Sequence, residues 1–444
     1  MGTAKVMPLL LTMSAPAMLS MLIQALYNIV DSFFVGQISE EALRAVTIVF
    51  PVQQLIIAFA IGTSIGVNSF LARSLGRKDQ AVADSTAVHG YVLSLFNWLL
   101  FVLVGLFLTD PIIHLFTDQA AVAAMAKTYM RVVTFWSGGV FVLIMSEKTL
   151  QATGDMIHPM ILQMSGAITN IILDPIFIFG HLGLPAMGVK GAAIATVIGQ
   201  WIGAFASLYI LYSREHEVSF SLKGFRLNKN IIRSIYQVGI PTTIMGAVNA
   251  FLIMGLNAII KPFSETAITA LGVYYKLQSF VFMPIFGLGQ GLMPIVGYNY
   301  GAEKYDRAKE TIKYGLIFAG IVMGIGLLFF QLMPDLLLKI FNPTDELLAI
   351  GIPALRIISL CFLTAGFSIV LSNSFQALGH GQMSLIVSLL RQALLLLPGA
   401  YFLAKISLKA VWFAFPLAEG IAFIICIILF LRVRNVELTA DPAI

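Results

Sequence analysis

The chain has 444 residues, of which 59% are hydrophobic and only 11% are charged, and its formal net charge is +5. A soluble globular domain carries about 25% charged residues, so this composition excludes a water-soluble protein and predicts an all-α polytopic membrane protein. The basic excess indicates membrane topology rather than nucleic-acid binding. The two cysteines lie in apolar segments, which predicts buried thiols rather than a disulfide framework.

Twelve apolar stretches are each long enough to cross a bilayer, which takes roughly 20 residues. They cover approximately residues 8–36, 44–72, 82–108, 122–150, 157–180, 188–213, 231–260, 267–297, 308–332, 348–378, 383–404 and 408–432. With a cytoplasmic N-terminus, 16 of the 27 Lys and Arg residues fall on the inside and 7 on the outside. This bias predicts a multi-pass plasma-membrane protein with both termini in the cytoplasm.

Asp31 is an acid embedded in the first predicted helix, within the stretch ALYNIVDSFFVG. Embedded charges cost roughly 2.5–3.5 kcal/mol on insertion scales, so this one needs a reason. Gln24, Tyr27 and Asn28 fall within about 60° of Asp31 around the helix, and Pro16 permits a bend about four turns earlier. The stripe predicts a helix whose bend follows the charge state of Asp31. The alternative is a static hydrogen-bond network beside an ordinary proline kink.

The fifth and sixth predicted helices carry a second polar group. Asn170 and Asp174 in the segment NIILDP are four residues apart and share a helix face. Pro175 leaves a backbone carbonyl without its helical donor, and Thr196 adds a hydroxyl from the next helix. Such oxygen-rich groups suit a hard cation, Na⁺ among them, or hold a proton between two acids. If Asp31 and Asp174 meet, one must be protonated or a monovalent cation must lie between them. The alternative is a buried network that only cross-links helices.

The chain matches itself at a constant offset of 225 residues over about 140 residues. The matched pairs include Pro16 and Pro241, Gly62 and Gly287, Gly66 and Gly291, and Arg131 and Arg356. Only the sixth helix of each half has slipped from this register. The repeat predicts an N-terminal six-helix lobe (1–212), a cytoplasmic linker (213–230) and a C-terminal six-helix lobe (231–444), related in parallel. Duplicated bundles of this kind favour a carrier that works by alternating access.

The second half offers a less charged set of candidates for a substrate cleft. Polar, aromatic and methionine side chains make adaptable walls for lipophilic cations. The candidates, with Asn28 from the first half, are Tyr274, Gln278, Met283, Phe286, Met293 and Asn373. The alternative for each is ordinary helix packing. Glu419 is expected to pair with a cation of the second half such as Lys276, whereas Arg131 and Arg356 have the positions of structural residues.

Taken together, these segments resemble the multidrug and toxic compound extrusion (MATE) family over essentially the whole chain. The motifs are YNIVDSFFVG after Pro16, ARSLGRKD, QATGD at 151–155, NIILDPIFIFG at 170–180, GVKGAAIAT at 188–196 and FPLAE at 415–419. The resemblance implies twelve transmembrane helices in two pseudo-symmetric six-helix bundles of the MATE/MOP type. It also implies a monomeric, non-enzymatic antiporter that exports amphipathic or cationic organic compounds in exchange for H⁺ or Na⁺, without another cofactor.

By the same resemblance, the coupling cation maps onto the N-terminal lobe, at Asp31, Asn170, Asp174 and Thr196, with Gln24 and Tyr27 nearby and Pro16 as the bending point. Another branch of the family uses acids in helices 7 and 10. The corresponding segments here, IYQVGIPTTIMGAVNAFLIMGLNAII at 235–260 and LRIISLCFLTAGFSIVLSNSF at 355–375, contain no carboxylate. The nearest alternative is a flippase or exporter of lipid-linked saccharides or other amphipathic metabolites, for which more embedded basic residues are expected. A receptor or an enzyme predicts no internal repeat, and nothing in the chain resembles a channel filter.

Overall fold

A computed structural model describes residues 1–213, 217–220, 225–341 and 343–439, except for the side chains of residues 25–29, 31–33, 36, 212 and 250. The first half contains eight helices within this described part. They are α1 (Val6–Gly36), α2 (Glu40–Gly76), α3 (Gln80–Phe107), α4 (Thr109–Phe116), α5 (Ala120–Phe135), α6 (Gly138–Thr153), α7 (Ile157–Phe179) and α8 (Val189–Ser213).

The second half follows the same plan with more interruptions. Its helices are α9 (Lys229–Ile260), α10 (Glu265–Gly301), α11 (Tyr305–Leu332), α12 (Pro334–Lys339), α13 (Asp345–Ser359), α14 (Phe362–Leu378), α15 (Gly381–Leu389), α16 (Leu397–Ala404), α17 (Leu408–Trp412) and α18 (Ala414–Glu437). A π-helical segment, Leu390–Leu396, joins α15 to α16.

Ten helices of the described chain are long and apolar enough to cross a membrane, and two bent helix pairs bring the number to twelve. The pair α5 and α6 bends by 45°, and its repeat counterpart, α13 and α14, bends by 49°. The predicted twelve-helix architecture is therefore confirmed, with two of its spans broken near their middle.

The sequence repeat reappears in the helix boundaries. Both α2 and α10 have 37 residues, and both of their ends are displaced by the same 225 positions. The residue before each helix, Ser39 or Ser264, accepts a hydrogen bond of 3.0 Å from the backbone N–H three positions later. A serine cap of this kind satisfies one of the orphan donors at a helix start. The two halves thus begin their second helices by the same device.

Helix packing divides the chain into two compact units: Leu19–Gly246, and Met1–Met18 together with Ala247–Ile444. Consequently α1 belongs to the unit of the second half up to Met18 and to the unit Leu19–Gly246 after it. In the same way, α9 belongs to the unit Leu19–Gly246 up to Gly246 and to the other unit after it. The lobes 1–212 and 231–444 and their linker stay a prediction. In terms of packing, the first helix of each half is shared.

In each unit, a glycine packs closely against the helix segment that comes from the other half of the sequence. In the unit Leu19–Gly246, a side chain at Gly62 of α2 would collide with Thr243 of α9. In the other unit, a Cβ at Gly287 of α10 would lie 2.7 Å from the Cα of Met18 in α1. Thr243 is the repeat counterpart of Met18, as Gly287 is of Gly62. Small residues let helix backbones approach closely in membranes, so the repeated glycines fit the exchanged segments.

Candidate functional site

Asn170, Asp174 and Thr196 form a buried polar cluster between α7 and α8. Their exposed fractions are 2%, 0% and 7%. With the Asn170 amide oriented so that both of its ends find partners, its Nδ2 donates to Asp174 Oδ2 at 2.9 Å. Its Oδ1 then accepts from the backbone N–H of Thr196 at 3.0 Å and from the Thr196 hydroxyl at 3.3 Å. The structure therefore brings together three of the predicted site residues.

The cluster is tight because α7 and α8 approach each other through glycine. A Cβ at Gly199 would lie 2.7 Å from the carbonyl oxygen of Gly166 and 3.4 Å from Asn170 Cβ. This approach places the first part of α8, with Thr196, within hydrogen-bond reach of Asn170. Pro175 lies inside α7, which continues to Phe179; because proline has no N–H, it leaves the carbonyl of Ile171 without its helical donor.

Chemically, the cluster offers a carboxylate, an amide oxygen and a hydroxyl at membrane depth. A charge in this position is costly, and binding of a proton or a cation to the carboxylate would lower that cost. Oxygen ligands of this type suit hard cations. Among the residues that the structure describes, no group of three or more His, Cys, Asp or Glu side chains could hold a metal ion.

The second part of α1 packs against α7 beside this cluster. Gln24 Oε1 accepts a hydrogen bond from Gln163 Nε2 at 3.2 Å, and the rings of Phe34 and Phe179 meet edge to face at 6.4 Å. Sequence reasoning found Gln24 but missed Gln163. The signal was present, because Gln163 precedes Asn170 by seven residues and so falls on nearly the same helix face.

Several predicted residues lie outside the described side chains or away from this cluster. The side chains of Asp31, Tyr27 and Asn28 are among those outside the described part. Pro16 lies within α1, two residues before the passage between units at Met18.

The cleft candidates of the second half belong to the other unit, and their role in substrate binding stays a prediction. Tyr274 and Met293 are buried, and Phe286 is 47% exposed. Gln278 and Met283 are half-buried, as is Asn373, whose Nδ2 donates to the Ile369 carbonyl at 2.9 Å.

Glu419 does have a cationic partner from the second half, but the expected partner was wrong. Its Oε1 lies 3.5 Å from Nη1 of Arg391 in the π-helical segment. Lys276 instead lies over the ring of Phe341, at 5.9 Å from the centroid. Arg391 and Glu419 both stand near the middle of their apolar stretches, which was the available signal.

The comparisons with known proteins match this architecture. The MatE family model matches residues 16–176 and again 241–402. The chain belongs to the MATE family. The two matched regions start at Pro16 and Pro241, the same pair that opens the internal repeat. This MATE protein is accordingly a multi-pass cell-membrane transporter and not an enzyme.

Relatives and solved structures agree over nearly the full length. The MATE chain is 25% identical over 435 residues to the multidrug export protein MepA of Staphylococcus haemolyticus, with 97% of this chain and 94% of that protein covered. It superposes on a MOP-superfamily transporter of Pyrococcus furiosus with a TM-score of 0.91 and 25% identity, and the superposition covers 99% of this chain and 98% of that one. That transporter is described as having a binding pocket of reversed polarity. An outward-facing MATE multidrug resistance transporter gives a TM-score of 0.90 at 26% identity, with coverage of 98% and 97%.

Proposed function

We propose that this MATE transporter exports amphipathic, often cationic organic compounds in antiport with H⁺ or Na⁺. The coupling ion binds at Asp31, Asn170, Asp174 and Thr196, and both termini face the cytoplasm. The observation that carries the proposal is the buried cluster of Asn170, Asp174 and Thr196 beside α1. The multidrug export activity of the MepA relatives supports small organic compounds as the cargo.

Helix register supports the assignment of Asp31 to this cluster. The contacts Gln24–Gln163 and Phe34–Phe179 follow the same order along both helices, so α1 and α7 run in the same direction. Position 31 stands seven residues after Gln24, about 10 Å along the axis at 1.5 Å per residue, and position 170 stands seven residues after Gln163. Position 31 stands three residues before Phe34. Three residues before Phe179 is position 176, which lies two residues beyond Asp174. Both counts support the proposal that position 31 lies at the depth of the cluster.

The second half has no counterpart of this site. Its repeat counterparts of Asp31, Asn170 and Asp174 are Leu256, Leu395 and Gly399. The sixth helices start at Val189 and Leu408, a shift of 219 positions, so Phe415 corresponds to Thr196. All four counterparts lack a polar side chain. The coupling ion is therefore assigned to one half only.

Coupling follows from the path of α1. The helix belongs to one unit up to Met18 and to the other from Leu19 onward. Ion binding at position 31 or its release changes the electrostatic cost of placing this stripe at membrane depth. Pro16 interrupts the backbone hydrogen bonding of α1 just before the passage, so the helix can bend there. A single helix thus connects the ion site to the unit that carries the cleft candidates.

The test is gradient-driven dye transport in proteoliposomes. Ethidium movement is measured under a pH gradient and, separately, under a Na⁺ gradient, for the wild type and for Asp31→Asn and Asp174→Asn. The wild type is expected to respond to at least one gradient and both variants to neither. Asp118→Asn, which removes an exposed acid of the same unit, is the matched control and should keep the wild-type response.

Dye movement that neither gradient drives would overturn antiport. Full gradient response in the Asp174→Asn variant would overturn the assigned site. Movement of a fluorescent lipid-linked saccharide without any ethidium movement would favour the flippase instead.

A further inference from the structure

Arg391 and Glu419 form an ion pair at membrane mid-depth in the unit that contains α10–α18. Arg391 lies near the middle of the candidate span Gly381–Ala404, and Glu419 lies near the middle of Leu408–Glu437. The exposed fractions of their side chains are 26% and 9%. Charged side chains at this depth are costly and usually mark a functional site. The cation site of the other unit makes no use of this pair.

The pair leaves binding capacity unused. Its one close contact is 3.5 Å long, the outer limit of a hydrogen bond. A guanidinium has five N–H donors, and in the described structure Arg391 uses one of them on Glu419. Gln392, the next residue in the chain, is 6% exposed. Its Nε2 donates to Ser388 Oγ at 3.1 Å, whereas its Oε1 finds no partner among the described residues. Buried polar atoms are rarely left in this state without a water, an ion or a ligand.

Aromatic side chains occur on the helices that carry and neighbour the pair. The rings of Tyr274 and Phe415 meet edge to face at 5.9 Å. Tyr275 lies beside Tyr274, and its hydroxyl is also without a partner in the described part. Phe415 precedes Glu419 by four residues on α18, so one aromatic contact lies on the helix face that carries this acid.

The location matches that of the cation site in the other half. The fifth and sixth helices of the first half, α7 and α8, hold Asn170, Asp174 and Thr196. The corresponding helices of the second half hold Arg391 and Glu419, at the repeat counterparts of Gly166 and Gln200. A π-helical segment runs through this part of the second half, and such segments occur frequently at functional sites.

We propose that Arg391 and Glu419 form a subsite for zwitterionic amphipathic molecules, with a carboxylate of the cargo on Arg391 and its ammonium group on Glu419. This inference rests on the proposed export function and names a class of cargo for it. A zwitterion replaces one ion pair by two and leaves both protein charges paired. A cation alone would leave Arg391 unpaired, and an anion alone would leave Glu419 unpaired, which is costly in the membrane interior.

The test is ligand binding to the full chain in detergent, which needs no ion gradient. Nε-dansyl-lysine is the zwitterionic probe, its methyl ester carries only the ammonium group, and its Nα-acetyl derivative carries only the carboxylate. Dansyl fluorescence gives the Kd of each. The wild type is expected to bind the zwitterion about tenfold more tightly than either congener, because each congener loses one charge-assisted hydrogen bond.

The variants are expected to reorder these affinities. Arg391→Gln should shift the preference to the ester, Glu419→Gln should shift it to the acetyl derivative, and the double variant should have no preference. The reversed pair, Arg391→Glu with Glu419→Arg, keeps both charges and should again prefer the zwitterion; it serves if a single variant does not fold. Arg356→Gln is the control, because Arg356 is an exposed span residue of the same unit without an ion pair among the described residues.

Equal Kd values for the three probes in the wild type would overturn the proposal. An unchanged order of the three affinities in both single variants would overturn it too, as would a folded reversed pair that does not prefer the zwitterion. Ethidium transport in the same variants separates this result from a failure of the proposed function. A protein that lacks the zwitterion preference but exports ethidium under a gradient contradicts the subsite alone.

Discussion

Gln163 donates to Gln24 at 3.2 Å, and this hydrogen bond fixes the register of α7 against the second part of α1. Seven residues further along each helix come Asn170 and position 31. The contact therefore sets the backbone of position 31 level with Asn170, as the proposed shared ion site requires.

A metal bridge tests this register. Asp31→Cys and Asp174→Cys are combined in a background in which the two native buried cysteines, Cys361 and Cys426, are replaced by Ser. Zn²⁺ binds thiolates at about 2.3 Å, so it should bridge the pair and protect both thiols from maleimide, as measured by the labelling rate.

The control for the bridge pairs Asp31→Cys with Ile172→Cys. Ile172 is 55% exposed and lies two residues from Asp174, on nearly the opposite side of α7. Zn²⁺ should give this pair no protection. Equal protection of the two pairs would contradict the register.

A methyl group at Gly287 should destabilise the protein. The new Cβ would lie 2.7 Å from the Cα of Met18, so the backbones of α1 and α10 would have to separate. Overpacking of this kind costs about 1–3 kcal/mol, and Gly287→Ala is expected to lower the thermal midpoint in detergent. Gly272→Ala on the same helix has open space around it, and its midpoint should stay the same or rise through the better helix propensity of alanine.

Splitting the chain before α9 should give two fragments that need each other. Residues 1–228 lack the α9 segment that packs on Gly62, and residues 229–444 lack the α1 segment that packs on Gly287. Co-expressed fragments are expected to co-purify as one species on size-exclusion chromatography, because each completes the other's unit. Either fragment that is monodisperse and equally heat-stable on its own would disprove this dependence.

Asp110 should contribute a small pH-dependent stability. Lys127 Nζ lies 2.7 Å from its Oδ1, and Arg131 Nη2 lies 3.1 Å from its Oδ2. The hydrogen bond from Lys127 and the nearby Arg131 charge hold the pKa of Asp110 below its ordinary value of 3.8. The stabilisation is therefore present above pH 3.8 and is lost as the pH falls through the lowered pKa.

The measurement is the thermal midpoint of Asp110→Asn relative to the wild type between pH 3 and pH 7 at low salt. The deficit should be present at neutral pH and shrink at the acidic end, and it should be small because the pair is exposed. Its repeat counterpart, Asp335, lies 3.9 Å from Lys339. Asp335→Asn is the control and should show a smaller deficit.

Much of the helical plan could be predicted because apolar length and a strict repeat both survive in the sequence. The ends of α2 and α10 keep the 225-residue offset. The spacing of Asn170 and Asp174 indicated that they share a helix face, and the family resemblance assigned Thr196 to the same site. The exchange of the first helices could not be predicted. In a membrane, lipid-facing and packed surfaces are both apolar. The glycines therefore indicated a close helix contact, but the sequence did not indicate which helix makes it.

The pairing of Glu419 was missed for a related reason. Lys276 and Arg391 are both basic residues in apolar stretches, and regular helical spacing does not locate a π-helical segment. The wider π turn, with its i→i+5 hydrogen bonds, changes the directions of the side chains in the segment. Only the three-dimensional structure could decide between the two cations.

The shared first helices also constrain how such a protein could have arisen. A half-length ancestor that folded in this way would have packed the start of its first helix against the second helix of another copy. Its own second helix, with the glycine that became Gly62 and Gly287, would have needed the first helix of that copy. It would have been an obligate homodimer. Its even number of spans would have put both termini on one side of the membrane, so that two fused copies would be inserted in the same direction. Joining two gene copies end to end would then have preserved these helix contacts while freeing the halves to diverge, one toward the cluster of Asn170, Asp174 and Thr196 and the other toward the ion pair of Arg391 and Glu419.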